Sequence, residues 1–565
     1  MRRIFSLFCL AALGGCATVP RIATEPVEVQ VLAFNDFHGN LEVPPPVEVI
    51  EADGSKTMMT SGGAAFLGAA IARLRQTNSV TVSAGDTIGA TPLTSALFLD
   101  EPTIEAMNQI GLEFNAVGNH EFDKGLDELK RMQAGGCAKH GLRDPCAVEP
   151  FRGARFTYLG ANVIGANGEP VLPTIATKRF GTGPRAITLG FIGMTLRATS
   201  TLVTPAGIAG LRFADEAATA NALVPKLKAQ GADAIVLLIH QGGKTPKFTR
   251  GQGCEDFAGD IVSIIPKLDP AITTIVSGHT HWAYVCHNGA GGTHGGRLLT
   301  SAGKSGIFLT DIRLSFNPAT RRLISQRGSN SVVGTGENGE HVAVRRLVDR
   351  YVAAAAPRAN KVVGRLTAIA PRNEDDSESP AANLIADSYL AATRSKTNSG
   401  AQIALVNATG VRVALPAGEV RYRDAFAMMP FGNNLLVMTL TGAQLRAVFE
   451  QQYSLPLRSN ASRPAALVPS EGLRYRYDLA RPAGERIVAI TLDGVPIDPA
   501  RRYRVVVNNY LASGGDGLSG FKAGTDVLDA GIVDIDALIA WISSGRTVPA
   551  VGRVIDVASA VPAPS

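Results

Sequence analysis

The segment Phe114-Asn115-Ala116-Val117-Gly118-Asn119-His120-Glu121-Phe122-Asp123 places a short apolar run directly before a glycine and a set of polar residues. The same arrangement recurs at four other places. Val31–Phe34 precedes Asn35-Asp36-Phe37-His38, Ser79–Ser83 precedes Ala84-Gly85-Asp86, Ala234–Ile239 precedes His240, and Thr273–Val276 precedes Ser277-Gly278-His279-Thr280-His281. Each apolar run reads as a buried strand, so each polar set is predicted to follow a strand end.

Helical patterns separate these strands, which predicts an α/β domain. The helical stretches are Ala64–Arg75, Thr103–Ile110 and Ala217–Ala229, and apolar segments at Ala186–Ile192 and Gly306–Leu314 extend the domain to about residue 335. Open α/β sheets place their sites at the carboxyl ends of the strands. The polar residues, although distant in sequence, are therefore expected to converge at one edge of the domain.

The polar residues are of types that bind metals. Carboxylate oxygens and imidazole nitrogens suit zinc, manganese or iron. Asp36 and His38 are two residues apart, as are His279 and His281, so in extended backbone each pair is expected to point to one side. The donors outnumber the needs of one tetrahedral ion, which predicts two divalent ions that share a bridging carboxylate. Taken alone, His240 could be an ordinary core histidine, but the joint pattern favours a metal centre.

The N-terminus resembles an export signal. Arg2 and Arg3 precede the apolar stretch Ile4–Leu13, which is too short to cross a bilayer as a helix. The following Leu13-Gly14-Gly15-Cys16 resembles the lipobox of bacterial lipoproteins. This resemblance implies a leader over residues 1–15, lipid attachment at Cys16 and a tether over residues 16–28. An ordinary secretory signal is the alternative, and with either signal the mature chain is expected to leave the cytoplasm. With the lipid attached, it is expected to be anchored in the cell envelope, on the periplasmic side or in the outer membrane.

Composition and cysteine usage agree with an exported globular protein. The formal net charge of +6 on 565 residues is too small to predict a nucleic-acid partner. We also expect a monomer or a weak dimer. Apart from Cys9 and Cys16, the cysteines are Cys137, Cys146, Cys254 and Cys286. Four cysteines allow three pairings. Cys137 with Cys146 is the most local one and would leave Cys254 with Cys286, whereas a zinc site is disfavoured because no C-x-x-C pair occurs.

Together, the strand-end motifs resemble the calcineurin-like metallophosphoesterase superfamily. The motif set is Asp36-x-His38, Gly85-Asp86, Gly118-Asn119-His120-Glu121, His240 and Gly278-His279-Thr280-His281. The continuation Phe122-Asp123 and a second domain narrow the resemblance to the bacterial and animal 5′-nucleotidase family, which includes UDP-sugar hydrolases. The resemblance covers about residues 29–555. It implies an α/β fold, with an N-terminal metallophosphoesterase sandwich of β-sheets flanked by helices and a smaller α/β substrate-binding domain.

The resemblance also implies a role for each residue of the site. Asp36, His38 and His281 resemble the ligands of a first metal, Asn119, His240 and His279 resemble those of a second, and Asp86 resembles the bridging carboxylate. His120 resembles the catalytic histidine that contacts the transferring phosphoryl group. Asp123 resembles the carboxylate that orients this histidine. No Ser or Cys nucleophile stands in an activated context, so no covalent intermediate is expected.

The implied activity is the release of phosphate from nucleoside 5′-monophosphates by direct attack of a metal-bound hydroxide. A UDP-sugar pyrophosphatase or a 2′,3′-cyclic nucleotide phosphodiesterase could use the same metals, and only the second domain would distinguish these substrates. An alternative of another class is a surface lipoprotein that binds nucleotides without catalysis. The complete ligand set and the His120–Asp123 pair favour an enzyme.

The second domain is predicted over residues 361–555, after a connector helix within residues 336–360 and before a loose tail at 556–565. Val342–Ala356 carries an apolar stripe, and Pro357 is expected to end that helix. The resemblance implies that Asn407 and Arg412 contact base and phosphate, that Phe431 and Tyr510 stack on the base, and that Asp516 binds the ribose hydroxyls. Relatives often carry an arginine where this chain has Asp375, which leaves the exact substrate open.

Overall fold

The computed structural model describes residues 25–558, apart from 52–54, 141–142, 204, 246–250, 288–295, 337–338, 396, 398 and 456–463. The predicted export signal, the lipid-attachment residue Cys16, most of the tether and most of the tail lie outside the described residues. Within the described part of the chain, no helix combines the length and the apolar character that crossing a membrane requires.

Strands and helices alternate along the N-terminal domain. Its strands are β1 (Val27–Phe34), β2 (Val47–Ile50), β3 (Lys56–Met59), β4 (Ser79–Ser83), β5 (Phe114–Ala116), β6 (Thr157–Leu159), β7 (Val163–Ile164), β8 (Ile175–Phe180), β9 (Ile187–Thr195), β10 (Arg212–Phe213), β11 (Ala234–His240), β12 (Ile272–Ser277), β13 (Ala283–Cys286), β14 (Leu298–Ala302), β15 (Phe308–Phe316) and β16 (Leu323–Val332). Its helices are α1 (Ala64–Leu74), α2 (Leu93–Ala96), α3 (Glu101–Ile110), α4 (Leu126–Ala134), α5 (Thr199–Leu202), α6 (Glu216–Ala229), α7 (Ile261–Ile264) and α8 (Val342–Ala359).

Two six-stranded sheets form the centre of this domain. Their strand orders are β16-β15-β1-β4-β5-β6 and β13-β14-β12-β11-β9-β8. Strand β1 is buried on both faces, because Val29 and Val31 belong to the core between the two sheets, as does Leu189 of the second sheet, while Leu32 belongs to the core beneath the helices. Helices α1, α3 and α8 cover the first sheet, and α6 covers the second. The predicted helix-flanked sandwich is therefore confirmed.

The parallel pairing brings the ends of the site-bearing strands together. Strand β1 runs parallel to β4, with Phe34 opposite Ser83, and β4 runs parallel to β5. In the second sheet, β11 runs parallel to β12, with Ile239 opposite Ser277. Consequently the chain leaves all of these strands at one edge of the sandwich, which is where the polar motifs begin.

The C-terminal domain is also of mixed α/β type. Its strands are β17 (Val362–Leu366), β18 (Ile403–Asn407), β19 (Gly418–Arg421), β20 (Asn434–Thr441), β21 (Leu467–Pro469), β22 (Leu473–Tyr477), β23 (Ile487–Leu492), β24 (Val495–Pro496), β25 (Arg502–Asn508), β26 (Thr525–Val533) and β27 (Val554–Asp556). Its helices are α9 (Pro380–Thr393), α10 (Tyr422–Met428), α11 (Gly442–Ser454), α12 (Asn509–Ala512) and α13 (Asp534–Ser543). The main sheets have the orders β21-β18-β25-β20-β26 and β24-β23-β22-β27.

Helix α8 links the two domains and packs on the first of them. Val344, Leu347 and Val348 are buried in the core that lies beneath α1 and α3. The expectation that Pro357 ends this helix is wrong, because the helix continues to Ala359 with the proline inside it. A proline near the last turn removes only one backbone hydrogen bond, and the amide of Asn360 still donates to the carbonyl of Ala356 at 3.0 Å.

Both predicted disulfides are present. Cys137 pairs with Cys146, and their Cα atoms lie 5.6 Å apart. Cys254 pairs with Cys286, the last residue of β13, across a Cα–Cα distance of 5.0 Å. The second disulfide ties the segment that follows His240 to the strand that follows His281, so it braces the edge where the polar motifs lie.

The buried ion pair of Arg553 and Asp387 is expected to stabilise the C-terminal domain. The guanidinium of Arg553 donates to both carboxylate oxygens of Asp387, at 2.7 and 2.8 Å. Arg553→Met would leave the carboxylate buried and unpaired, so we expect a loss of about 3 kcal/mol in the free energy of unfolding. Urea unfolding followed by the fluorescence of Trp541, in a Trp282→Phe background, measures this loss.

The matched control is Arg476→Met, because the side chain of Arg476 is exposed on β22. We expect this substitution to change the stability by no more than about 0.5 kcal/mol. Equal urea midpoints for the two variants would contradict the importance of the Arg553–Asp387 pair.

Candidate active site

Loops at the ends of the strands of both sheets bring the predicted metal ligands together. One group comprises Asp36, His38 and His281, and the other comprises Asp86, His240 and His279. Within each group the ligand atoms lie within 4.8 Å of one another. Asn119, the remaining predicted ligand, is buried, and its Oδ1 atom lies 3.1 Å from Nδ1 of His279. All seven predicted ligands therefore border one compact site.

The backbone that carries these ligands differs from the sequence-based expectation. Extended conformation was expected for the Asp36/His38 and His279/His281 pairs, but that expectation is wrong. Positive φ angles between 47° and 73° occur at Asp36, His38, Asp86, His279 and His281. A left-handed residue that is not glycine costs about 1–3 kcal/mol, and such residues concentrate at functional sites. The loops meet because backbone amides of Asp36 and His38 donate to the carbonyls of Gly85 and Asp86, at 3.0 and 2.9 Å.

Two glycines allow these loops to approach closely. A methyl group at Gly118 would lie 2.1 Å from Oδ1 of Asp86, which is well inside contact distance. Gly85 has a φ angle of 92°, and a methyl group there would lie 2.8 Å from Nδ1 of His240. The glycine that precedes Asp86, and the one that precedes Asn119, are therefore required by the geometry of the site.

Backbone carbonyls orient the imidazole rings. Nδ1 of His38 lies 2.9 Å from the carbonyl of Gly89, and Nδ1 of His240 lies 2.8 Å from the carbonyl of Ala84. These contacts direct the Nε2 atoms into the site, as is usual for metal-binding histidines. Nε2 of His240 lies 2.9 Å from Oδ2 of Asp86, and Nε2 of His38 lies 3.0 Å from Nε2 of His281.

The electrostatics of the site fit cations. Burial and the nearby Asp86 raise the pKa of Asp36 to about 7, although His240 acts in the opposite direction. Burial lowers the pKa of His38 to about 3. Burial also opposes the charge of Asp86, but His240 and His120 hold the pKa of this carboxyl well below its usual range. Two buried carboxylates among imidazoles form a donor set that suits two divalent ions.

Asp86 has the position expected of a bridging ligand. Its Oδ2 atom lies 2.9 Å from Nε2 of His240 in one group and 3.9 Å from Nε2 of His38 in the other. Its Oδ1 atom accepts a hydrogen bond from the backbone amide of His120 at 2.9 Å. A single carboxylate therefore faces both donor groups.

His120 lies at the rim of the site and is oriented by Asp123. Nδ1 of His120 lies 2.7 Å from Oδ2 of Asp123, and His120 begins a short 3₁₀ turn, His120–Phe122, that Asp123 follows. Burial opposes protonation, but Asp123 and Asp86 raise the pKa of His120. The ring of His120 lies 5.2 Å from that of His38, edge to face, so it borders the first donor group.

Two residues that support the ligands were given no role in the sequence analysis. Glu121 accepts hydrogen bonds from the backbone amides of Asp86, Thr87 and Gly118, at 2.9, 2.9 and 2.6 Å. Asn35 donates to Oδ2 of Asp36 at 2.7 Å and also to the carbonyl of Gly303. Both residues stand beside a predicted ligand, and that adjacency is the only sequence signal that could have identified them.

Three of the predicted nucleotide-binding residues form one hydrogen-bonded group. Asp516 accepts from Nδ2 of Asn407 at 3.0 Å and from the hydroxyl of Tyr510 at 2.8 Å. Thr409, which the sequence analysis did not single out, also donates to Asp516 at 2.7 Å. Helix α5 of the N-terminal domain lies against the adjoining segment Gly515–Gly517, so this group lies near the interface between the domains.

Arg412 and Phe431 form a second group. The guanidinium of Arg412 lies over the ring of Phe431, 5.0 Å from its centroid. The positive charge of Arg412 acts to lower the pKa values of His38, His120 and His281, although the pKa of His120 is raised on balance by Asp123 and Asp86. The ring of Phe431 and that of Tyr510 are both partly exposed.

Comparison with known proteins finds a matching domain model and several relatives. The model of the 5′-nucleotidase C-terminal domain matches residues 359–523. The chain is 28% identical over 494 residues to "Endonuclease YhcR" of Bacillus subtilis and 28% identical over 579 residues to "Cell wall protein Lmo0130" of Listeria monocytogenes. It is 24% identical over 573 residues to "NAD 5′-nucleotidase" of Haemophilus influenzae, and this match covers 91% of the chain and 90% of that relative.

A solved structure extends the likeness to the whole fold. The 5′-nucleotidase precursor of Thermus thermophilus is 26% identical and has a TM-score of 0.73, with 94% of this chain and 99% of that chain covered. The matches to the Bacillus and Listeria proteins cover 86% and 95% of this chain, but they span only 37% and 69% of those proteins' own lengths.

Glu121→Gln is expected to weaken metal binding. Glutamine has one side-chain oxygen that can accept hydrogen bonds, whereas glutamate has two. Its NH2 group would face backbone N–H groups that now donate to Glu121, and two donors cannot bond to each other. The loops that carry Asp86 and Asn119 would lose their common anchor, and we expect the affinity for Mn²⁺ to fall about 10- to 100-fold. Calorimetric titration of metal-stripped protein measures this affinity. Glu169→Gln, at an exposed position, is the control. Equal Mn²⁺ affinities of the two variants would contradict the supporting role of Glu121.

Proposed function

Because the chain belongs to the 5′-nucleotidase family, we propose that it is a two-metal phosphohydrolase that converts nucleoside 5′-monophosphates to nucleoside and phosphate. The observation that carries this proposal is the pair of three-residue donor groups, with Asp86 facing both and His120 beside them. In this proposal, residues 29–335 supply the metal centre and residues 361–555 supply the nucleotide site.

The residues that would hold the ions are Asp36, His38 and His281 for one, Asn119, His240 and His279 for the other, and Asp86 for both. Zinc or manganese bound there would lower the pKa of a water molecule toward neutrality and offset the charge of the phosphoryl oxygens. Glu121 and Asn35 hold the loops that carry these ligands, so the site is organised before substrate binds.

His120 is the group that meets the substrate at the rim of the site. Asp123 holds Nδ1 of the ring, which leaves Nε2 to donate a hydrogen bond or a proton to the phosphoryl group or the leaving oxygen. Arg412, on the facing domain, supplies a guanidinium fork that suits phosphate oxygens. His120 and Arg412 act in this proposal without forming a covalent bond to the substrate.

The C-terminal domain would recognise the nucleoside. Phe431 and Tyr510 offer partly exposed aromatic rings, and stacking of a base on such a ring contributes roughly 1–3 kcal/mol with little preference among bases. Asp516, held by Asn407, Thr409 and Tyr510, would accept hydrogen bonds from the ribose hydroxyls. Two observations support an exported protein: the pair of disulfides and the cell-wall relative. The proposed lipid anchor at Cys16 rests on the resemblance of Leu13-Gly14-Gly15-Cys16 to a lipobox.

Metal removal and the loss of His120 test the reaction. We expect leaderless, oxidised protein to release phosphate from 5′-AMP, to lose this activity on metal stripping and to regain it with Mn²⁺ or Zn²⁺. His120→Ala should lower kcat about 10²- to 10⁴-fold because it removes a proton donor without removing a metal ligand. Metal content, measured on the same sample, should stay unchanged.

His140→Ala is the matched control, because His140 is an exposed histidine outside the site. Activity that survives metal stripping, or an equal effect of the two histidine substitutions, would refute the proposal. Hydrolysis of UDP-sugars or 2′,3′-cyclic nucleotides in place of AMP would keep the metal mechanism and change the substrate.

Stacking on the base is tested by the preference for AMP over ribose 5-phosphate, which carries the same phosphate without a base. We expect Phe431→Leu and Tyr510→Leu each to reduce this preference in kcat/KM by about 5- to 150-fold, the equivalent of one stacked ring. Tyr510→Phe keeps the ring and removes only the hydroxyl bound to Asp516, so it should retain most of the preference. An unchanged preference in the leucine variants would exclude these rings as the base site.

A further inference from the structure

The segment Gly89–Asp100, which contains α2, contacts the loop of His120 and Asp123 at both of its ends. At its first residue, where φ is 82°, a methyl group would lie 2.5 Å from the carbonyl oxygen of His120 and 2.9 Å from Oδ2 of Asp123. At its last residue, a carboxylate oxygen accepts a hydrogen bond from Nζ of Lys124 at 2.5 Å. Because Lys124 directly follows Asp123, the segment encloses the His120–Asp123 pair.

Asp100 is a fully buried carboxylate whose counter-charge is Lys124. Its Oδ1 atom also accepts a hydrogen bond from the hydroxyl of Ser95 at 3.0 Å. Burial opposes its charge, but Lys124 and the hydroxyls of Thr91 and Ser95 hold the pKa of Asp100 below its usual range. Leu99 and Asp100 have φ angles of 57° and 67°, and consecutive left-handed residues that are not glycine persist only where their contacts enforce them. The turn is therefore held in a strained form that directs Asp100 at Lys124.

The middle of the same segment is docked on the C-terminal domain. Leu93 and Ala96 of α2 are buried in the hydrophobic core of that domain, to which Phe426 of α10 also belongs. Arg143 reinforces the contact, because it donates to the carbonyl of Ala96 and its guanidinium lies 5.7 Å from the ring centroid of Phe426. One short segment thus joins the C-terminal domain to the His120–Asp123 pair.

A buried carboxylate is unfavourable without its counter-charge, so the Asp100–Lys124 ion pair fixes the backbone that follows Asp123. We propose that Asp100 and Lys124 are positioning residues that hold the His120–Asp123 pair beside the metal ligands, and that docking of α2 on the C-terminal domain holds Asp100 in turn. This inference rests on the proposed function for the chemistry of His120, whereas the fixing of the loop is independent of the substrate.

The first test is kinetic. In the metal-loaded enzyme, Lys124→Met and Asp100→Asn should each lower kcat for 5′-AMP about 10- to 100-fold, because a small displacement of a catalytic group is costly, while KM changes less. The double variant should be no slower than the slower single variant, because both substitutions break the same ion pair. Lys178→Met breaks a partly buried ion pair with Glu113 and is the matched control, which should leave kcat unchanged.

Removal of His120 separates a positioning role from a general structural defect. In the His120→Ala background, Lys124→Met should lower kcat by no more than about 2-fold, because the group that it positions is already absent. A loss as large as in the wild-type background would overturn the proposal, as would no loss in either background. Phenyl phosphate, a monoester without a nucleoside, is the second substrate. If the wild type hydrolyses it but not 5′-AMP, the proposed nucleotide specificity fails, and the same comparison on phenyl phosphate decides the role of Lys124.

The second test needs no turnover. Hydrogen exchange of the metal-loaded protein, followed by mass spectrometry, should be about 10-fold faster at the backbone amides of residues 120–125 in Lys124→Met and in Arg143→Met, and unchanged in β9. Arg152→Met, at an exposed arginine, is the control for Arg143→Met and should leave residues 120–125 unchanged. Faster exchange in β9 as well would indicate general destabilisation and overturn the proposal. Unchanged exchange at residues 120–125 in Arg143→Met would refute the link to the C-terminal domain.

Discussion

The burial of two carboxylates, Asp36 and Asp86, at one edge of the sandwich is the constraint around which the N-terminal domain is built. Burial of a carboxylate is unfavourable unless a compensating charge or hydrogen bond is present. Imidazoles from both sheets surround this pair, and backbone amides donate to it from the neighbouring loops. Parallel strands are what make the arrangement possible, because they deliver each loop to the same edge.

At this edge, hydrogen bonds and a disulfide hold backbone that is locally strained. Five ligand residues adopt left-handed backbone, which the chain tolerates only where surrounding contacts enforce it. Glu121 supplies such contacts to the loops at Asp86 and Gly118, Asn35 supplies them to Asp36 and the loop at Gly303, and the Cys254–Cys286 disulfide braces the second sheet. The residues that hold the predicted ligands in place are therefore as necessary to the site as the ligands themselves.

Much of this could be predicted from the sequence, for identifiable reasons. Strand β1 is a continuous apolar run that ends in Asn35 and Asp36, and its predicted end matches the structure because burial on both faces leaves a clear hydropathy signal. The Asp36/His38 and His279/His281 pairs were also predicted to converge, but the extended backbone expected for them was wrong, since period-two alternation does not report left-handed turns. The helix end predicted at Pro357 was wrong because a proline in the last turn of a helix destabilises that helix only slightly. Thr409 could not be identified, because its role arises from a contact with Asp516, which lies far away in the chain.

The central claim is that one carboxylate, Asp86, joins two metal ions in a single centre. Electron paramagnetic resonance of protein loaded with Mn²⁺ tests this claim most directly. The account predicts two ions per chain, about 3.5–4 Å apart, whose spins couple through the shared ligand and broaden the spectrum beyond that of an isolated ion. Asp86→Ala should abolish the coupled signal. An uncoupled six-line spectrum at two equivalents of Mn²⁺, or saturation at a single ion per chain, would contradict the account.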